Sequence, residues 1–316
     1  MEEITPTDKD REKHKIIKES IEGKITNAEA STKLGLSVRQ VRRLKRRVEE
    51  DGVTGVVHGG RGQPSNRKTD KKDIKKIIEF LKKKKHCDFG PTFAQEKLGE
   101  KDIVLGVETL RTLMVDNDLW KPHARKAERP RHVWRPRMGM YGELVQFDGS
   151  YHDWLENGDE ECLLAAIDDA TSIVPYAVFE DNEGVHAVFR FWWAYFENTG
   201  LPVAIYLDKF STYKVNHKNA VDNIEMKTQF EHAMRELGIK VITAHSPEAK
   251  GRIERLFGTL QDRFVKEMRL LDIKTRDKAN EFIITEYLSN HNARFGVHAE
   301  NQGDAHRPLT EDMRPK

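Results

Sequence analysis

The sequence predicts an α/β domain built on a mixed five-stranded sheet with flanking helices, preceded by an all-α segment. Three observations predict it. Past residue 140, short apolar runs separated by Asp/Asn/Gly/Ser turns alternate with amphipathic helical stretches. Before it, apolar residues recur only at helical spacing. The charge divides at the same place: residues 1–140 carry 34 Lys+Arg against 22 Asp+Glu, and the rest 20 against 30, although the whole 316-residue chain is only +2. Such asymmetry marks a basic part that grips a polyanion and an acidic part with another task.

Composition excludes several classes. The apolar fraction of 37% supports at least one ordinary core, and the length allows two or three domains. Mean hydropathy is −0.71, and no apolar stretch approaches the roughly 20 residues that cross a bilayer, so a soluble protein with no membrane partner is expected. The start, MEEITPTDKDREKHK, holds no signal-peptide run, which predicts a cytoplasmic, nucleoid-associated protein. Cys87 and Cys162 stand in unrelated contexts, so neither a disulfide framework nor a four-cysteine zinc site is expected.

Residues 11–50 read as helices with a turn. Ile16, Ile17 and Ile21 form one stripe; Thr26 and Asn27 can cap the next helix, with Ala28, Ala30 and Leu34 on its apolar face. Gly35 breaks the pattern, and Ser37 can cap a third helix whose Val38, Val41, Leu44 and Val48 face inward. This is a helix-turn-helix pattern over 1–56, in which the second helix of the pair enters the major groove of double-stranded DNA. It carries Arg39, Gln40, Arg42, Arg43, Lys45, Arg46 and Arg47, with Gln40 and Arg43 placed to reach base edges. A basic amphipathic helix with a merely solvated face is the alternative.

Residues 57–70, with HGGRGQPSNRKTD, form a basic Gly/Pro linker. Its Arg61 sits in a Gly-Arg-Gly track that fits a DNA minor groove, and a plain tether fits the residues equally. Residues 71–128 read as a second helical DNA-binding domain, with Ile74, Ile77, Ile78 and Leu81 in one stripe and Phe93 and Leu98 beyond. Residues 129–140 read as a basic connector, and 141–316 as the acidic core.

In that core, ELVQFD, CLLAAID and IVPYAVF predict three antiparallel strands joined at ENGDEE and DDATS. A helix follows with Val185, Val188, Phe189, Trp192 and Tyr195 or Phe196 inward, stopped by Gly200 and Pro202. Then come strand VAIYL, a helix over 225–237, strand IKVITA, and a helix over 251–267 with Ile253, Leu256, Phe257, Leu260 and Phe264 inward. The order βββαβαβα is that of the ribonuclease-H-like fold.

Three acids stand out. Asp is unfavourable within a strand, yet Asp148 ends one apolar run and Asp208 ends another that should be central and parallel. Glu254 lies in the first turns of a helix expected to cross those strand ends. Converged carboxylates repel unless cations separate them, and hard oxygen donors suit two Mg²⁺ or Mn²⁺ ions. Such ions, roughly 3.5–4 Å apart, serve in-line phosphoryl displacement. Taken singly, each acid has a bland reading as a turn, cap or surface residue. Asp168 and Asp169 in DDATS read as structural residues of a hairpin turn.

The pieces LVQFDGSYHDWLE, LLAAIDDATS, IYLDKFSTY and HSPEAKGRIERLFGTLQDR, in this order, resemble the catalytic core of bacterial insertion-sequence transposases of the DDE type, relatives of retroviral integrases. The resemblance covers about residues 135–310. GRIERLFGTLQDR is similar to the family's Gly-x-x-Glu-Arg motif, and Asp148, Asp208 and Glu254 fall on its metal-binding positions. It implies hydrolysis at element ends to free a 3′-OH, attack of that hydroxyl on target DNA, and a homodimer or higher multimer holding both ends. Lys250, Arg252 and Arg255 flank Glu254 as candidate DNA-backbone contacts, with a solvated helix start as the alternative; His245 is a weaker candidate beside them. The sequence departs from the retroviral pattern in the 45 residues between Asp208 and Glu254, and in lacking a His/Cys zinc module. A small β-rich C-terminal domain, common in the family, is expected to be missing. An inactive DNA-binding regulator and a nuclease without joining activity stay open as alternatives.

Overall fold

The computed structural model describes residues 6–58, 60–61, 69–122, 136–207, 222–243 and 251–313. Packing divides the chain into two units, Met1–Ile77 and Ile78–Lys316. This boundary lies within the fourth helix, Lys71–Leu81 (α4).

The first unit is built on three helices, Asp8–Ile21 (α1), Asn27–Leu34 (α2) and Val38–Asp51 (α3). Each opens on a capping box, Thr7 with Asp10, Thr26 with Glu29 and Ser37 with Gln40, which satisfies amide groups that a helix start leaves without partners. Gly35 takes a left-handed conformation (φ 62°) to end α2 and turn the chain into α3, a geometry that strains other residues. Ile17, Ala30, Val41, Leu44, Val48 and Val56 form the core. Ala28, expected inside, is exposed, and Ile25 packs on the core instead.

In the second unit, α5 (Pro91–Gly99) and α6 (Val107–Asp116) precede a five-stranded sheet. Its strands are β1 (Val145–His152), β2 (Glu161–Asp168), β3 (Tyr176–Glu180), β4 (Ala204–Leu207) and β5 (Lys240–Thr243), in the order β3-β2-β1-β4-β5. β1, β2 and β3 are antiparallel neighbours; β1, β4 and β5 are parallel ones. This is the expected mixed sheet, with first and fourth strands adjacent.

Two cores sandwich the sheet. On one face β2 residues Leu163, Ala165 and Ile167 pack against Ile253, Leu256, Phe257, Leu260 and Phe264 of α9 (Gly251–Leu270). On the other, Leu164 and Ala166 meet Val188, Phe191, Trp192, Tyr195 and Phe196 of α7 (Val185–Thr199) and Phe230 of α8 (Asp222–Glu236). Period-two alternation sends neighbouring β2 side chains to opposite layers, so this strand is apolar from Cys162 to Ile167. The first layer is completed by α10 (Arg276–Phe282), a π-helical turn over Ile283–Tyr287, and α11 (Leu288–Phe295).

Asp148 does not end its strand. β1 runs on to His152, and Asp148 pairs with Ala165 of β2. Gly149, the next residue, is a site of close approach: a Cβ there would stand 2.7 Å from the Glu183 carboxyl carbon.

Candidate functional site

β1 and α9 frame the site. Val145 and Phe147 point into the α7 layer, so Gln146, Asp148 and Ser150 share the face toward α9. Two contacts fix this pairing: the Ile253 amide donates to Gln146 Oε1 at 3.3 Å, and Gln261 Nε2 donates to Ser150 Oγ at 3.2 Å. Eight helical residues rise about 12 Å and four strand residues span about 13 Å, so helix and strand run alongside each other without slipping. Half-buried Asp148 lies between the two contacts, and Glu254, exposed, follows directly on Ile253 in the first turn of α9. The structure therefore brings the element carrying Asp148 and the one carrying Glu254 together at the start of α9.

Asp208 lies outside the described residues, as do His245 and Lys250. Leu207, which precedes Asp208, ends β4, the parallel neighbour of β1. Among the described residues no group of three or more His, Cys, Asp or Glu side chains is placed to hold a metal ion. Asp148 and Glu254 supply hard oxygen donors, which fit Mg²⁺ or Mn²⁺ and not a soft metal. Cys87 and Cys162 are free.

Asp168 and Asp169 are both wholly buried. Asp168 makes the turn expected of it, accepting from the Thr171 amide and hydroxyl, and it also accepts from the Gly142 amide. Burial, the largest influence, pushes its carboxyl up. Asp169 reaches elsewhere: to Gln146, to the Met138 amide and, as an ion pair at 2.9 Å, to Arg252. Arg252 is thus held within the chain at a buried carboxylate, rather than standing beside Glu254 as an uncommitted cation. Sequence reasoning missed Gln146; its one local signal was a polar residue two positions before Asp148, on the same strand face.

In the first unit, Arg39, Gln40, Arg42, Arg43 and Arg46 of α3 are exposed, while Val41, Leu44 and Val48 face the core. Lys45 donates to the Ser20 carbonyl and Arg47 to that of Val57, which separates two structural cations from the exposed ones. Gln40 Oε1 accepts from Ser37 in the capping box, a contact that restrains this side chain at the helix start. Arg61, expected along a linker, pairs with Asp10. Hydrogen bonds from Thr7 and Arg61 hold the Asp10 carboxyl well below the usual carboxylate range. No described helix is long and apolar enough to cross a membrane.

A family model described as a helix-turn-helix domain matches residues 12–65. Over 308 residues the chain is 38% identical to a Sinorhizobium fredii protein named "Putative transposase y4bF", covering 97% of this chain and 66% of that protein. It is 28% identical to the Streptococcus pneumoniae transposase for insertion sequence IS1202, covering 90% of this chain and 68% of that one. The chain thus spans about two thirds of the length of these relatives. Among solved structures it is similar to a chain of the simian T-cell lymphotropic virus intasome in complex with PP2A regulatory subunit B56 gamma. That likeness has a TM-score of 0.39 and 17% identity, over 61% of this chain and 64% of the other. The HTLV-2 integrase catalytic core domain in complex with magnesium gives a TM-score of 0.33 and 16% identity, over 46% and 85%.

Proposed function

The chain is a homologue of bacterial insertion-sequence transposases, and from that kinship we propose that it is itself a metal-dependent DNA transposase. It binds the terminal repeats of an element, hydrolyses the end phosphodiester to free a 3′-OH, and joins that strand to target DNA. The observation that supports this reading is the Ile253–Gln146 bond, which joins the start of α9, the helix that carries Glu254, to β1, the strand that carries Asp148.

Asp148, Asp208 and Glu254 are the proposed ligands of two Mg²⁺ or Mn²⁺ ions. Bound there, the ions would activate an attacking oxygen and stabilise the leaving one. The chain's own residues do the rest: the buried sheet holds Asp148 in place, and the Gln146 and Ser150 contacts hold α9 along it. Arg39, Arg42, Arg43 and Arg46, with Gln40, form the proposed DNA-reading face of α3, and Arg255, exposed beside Glu254, a proposed backbone contact. Two DNA ends call for at least two protomers.

An assay with labelled end oligonucleotides, target DNA and Mg²⁺ tests the proposal. Joined products support it; cleavage without joining identifies a nuclease; binding alone identifies a regulator. Asp208→Asn should abolish the chemistry and keep DNA binding, and full activity in that variant overturns the assignment.

A further inference from the structure

We propose that Asp169 is a positioning residue which, acting through Arg252 and Gln146, sets the first turn of α9 so that Glu254 stands correctly against the β1 face bearing Asp148. Its carboxylate Oδ1 accepts from the Arg252 guanidinium and from Gln146 Nε2, both at 2.9 Å, and Oδ2 accepts from the Met138 amide at 2.9 Å. Gln146, 1% exposed, passes the hold on, because its Oε1 accepts from the Ile253 amide. The two residues before Glu254 are therefore tied to one buried carboxylate, Arg252 through its side chain and Ile253 through its backbone.

The arrangement exceeds what a turn needs. Asp168 already makes the turn, and burying a second carboxylate is costly unless its partners are placed to compensate. A first-turn amide has no partner inside its own helix, and here a side chain of the neighbouring strand supplies one for Ile253. The start of α9 is thereby fixed to the sheet rather than left to fray. Catalytic groups reward such fixing, since a displacement of about 1 Å can cost around a hundredfold in rate. Arg252 is then a clamp on the helix and not a DNA contact.

The inference rests on the reading of Asp148 and Glu254 as metal ligands, and the test separates the two. In the full-length chain, Mn²⁺ affinity is measured from the free-ion electron paramagnetic resonance signal, alongside amide hydrogen exchange without metal and DNA affinity by fluorescence anisotropy. Arg252→Met should weaken Mn²⁺ binding about tenfold, as loss of an outer contact to a metal site does. It should also speed exchange at Ile253 and Glu254 while leaving β2 protected and DNA affinity unchanged. Arg252→Lys, which keeps a donor for Asp169, should recover most of the loss. Unchanged Mn²⁺ affinity in Arg252→Met, where Glu254→Gln weakens it, overturns the inference; so does lost DNA affinity with intact Mn²⁺ binding. If Asp148→Asn and Glu254→Gln both leave Mn²⁺ affinity untouched, the metal-site reading fails. Exchange then decides the clamp alone, and unchanged exchange at Ile253 overturns it. Should Arg252→Met not fold, Gln146→Leu, which removes the bond to Ile253, gives the same readouts with the same expected directions.

Discussion

The Arg263 guanidinium of α9 grips the Glu96 carboxylate of α5 at two points, 2.7 and 2.8 Å, so the helical segment before the sheet is pinned to the helix that carries Glu254. Arg294 of α11 shares the same carboxylate, and the Arg263 charge also lies over the Phe93 ring at 5.5 Å. Both members of the Glu96–Arg263 pair are about 15% exposed, and a two-point, mostly buried pair of this kind is costly to break from one side. Glu96→Gln should lower the stability of the second unit by about 3 kcal/mol, read as a thermal midpoint lower by roughly 6–12 °C. A double variant with Arg263→Met should cost less than the two single changes added together, because the stranded charge is gone. Strict additivity would show that the pair is not coupled.

Asp148→Asn and Glu254→Gln should each reduce strand transfer by about a hundredfold or more, the scale expected when a metal contribution of several kcal/mol is lost. DNA affinity and the thermal midpoint should stay near wild type, because Glu254 is exposed and the Asn amide at 148 remains in a half-buried position. Kinetics on pre-nicked and intact ends check this. A variant that loses both steps while binding DNA normally places the carboxylates in the chemistry.

The exposed and engaged cations of α3 should behave oppositely. Arg46→Ala removes an exposed charge, so it should weaken DNA binding and, if it meets a phosphate, flatten the salt dependence by about one unit of slope. Arg47→Ala instead breaks the bond to the Val57 carbonyl, so its main effect should be on stability, about 1 kcal/mol. Anisotropy titrations at several salt concentrations beside thermal melts separate the two. Equal loss of DNA affinity in both variants contradicts the division.

How much of this was legible in the sequence follows from range. The α9 stripe Ile253, Leu256, Phe257, Leu260 and Phe264 repeats at helical spacing, and all five side chains are buried as expected. Ser37 and Gly35 announce the start of α3 and the turn before it by local chemistry alone. Asp169 did not announce its role. Its partners lie 31, 23 and 83 positions away, and pairings of that range leave no periodic trace, so the turn-like setting of DDATS dominated. The strand beyond Asp148 was missed for a similar reason: Gly149 looks like punctuation until Glu183, from a distant turn, is seen to occupy the space a side chain would need. Glu254 was legible only through its motif, since an exposed helical Glu carries little signal by itself.

His291 makes stability depend on pH in a definite direction. It is buried on α11, its Nδ1 has no hydrogen-bond partner among the described residues, and its ring packs against Phe295 at 4.8 Å. Burial, reinforced by the nearby Arg263 charge, lowers its pKa to about 4 from the ordinary 6.5 of a histidine. The folded chain therefore keeps the imidazole neutral where the unfolded chain would protonate it. The stabilisation is fully present above pH 6.5 and is lost progressively as the pH falls toward 4, by ~3 kcal/mol in all at about 1.36 kcal/mol per unit. His291→Phe keeps an aromatic ring in the same layer and removes the titration, so its stability curve should be flatter across that window than the wild-type curve. Urea midpoints from pH 7.5 to 4 measure the difference. Parallel curves for the two proteins would mean that His291 is charged in the fold, against both its burial and its neighbouring guanidinium.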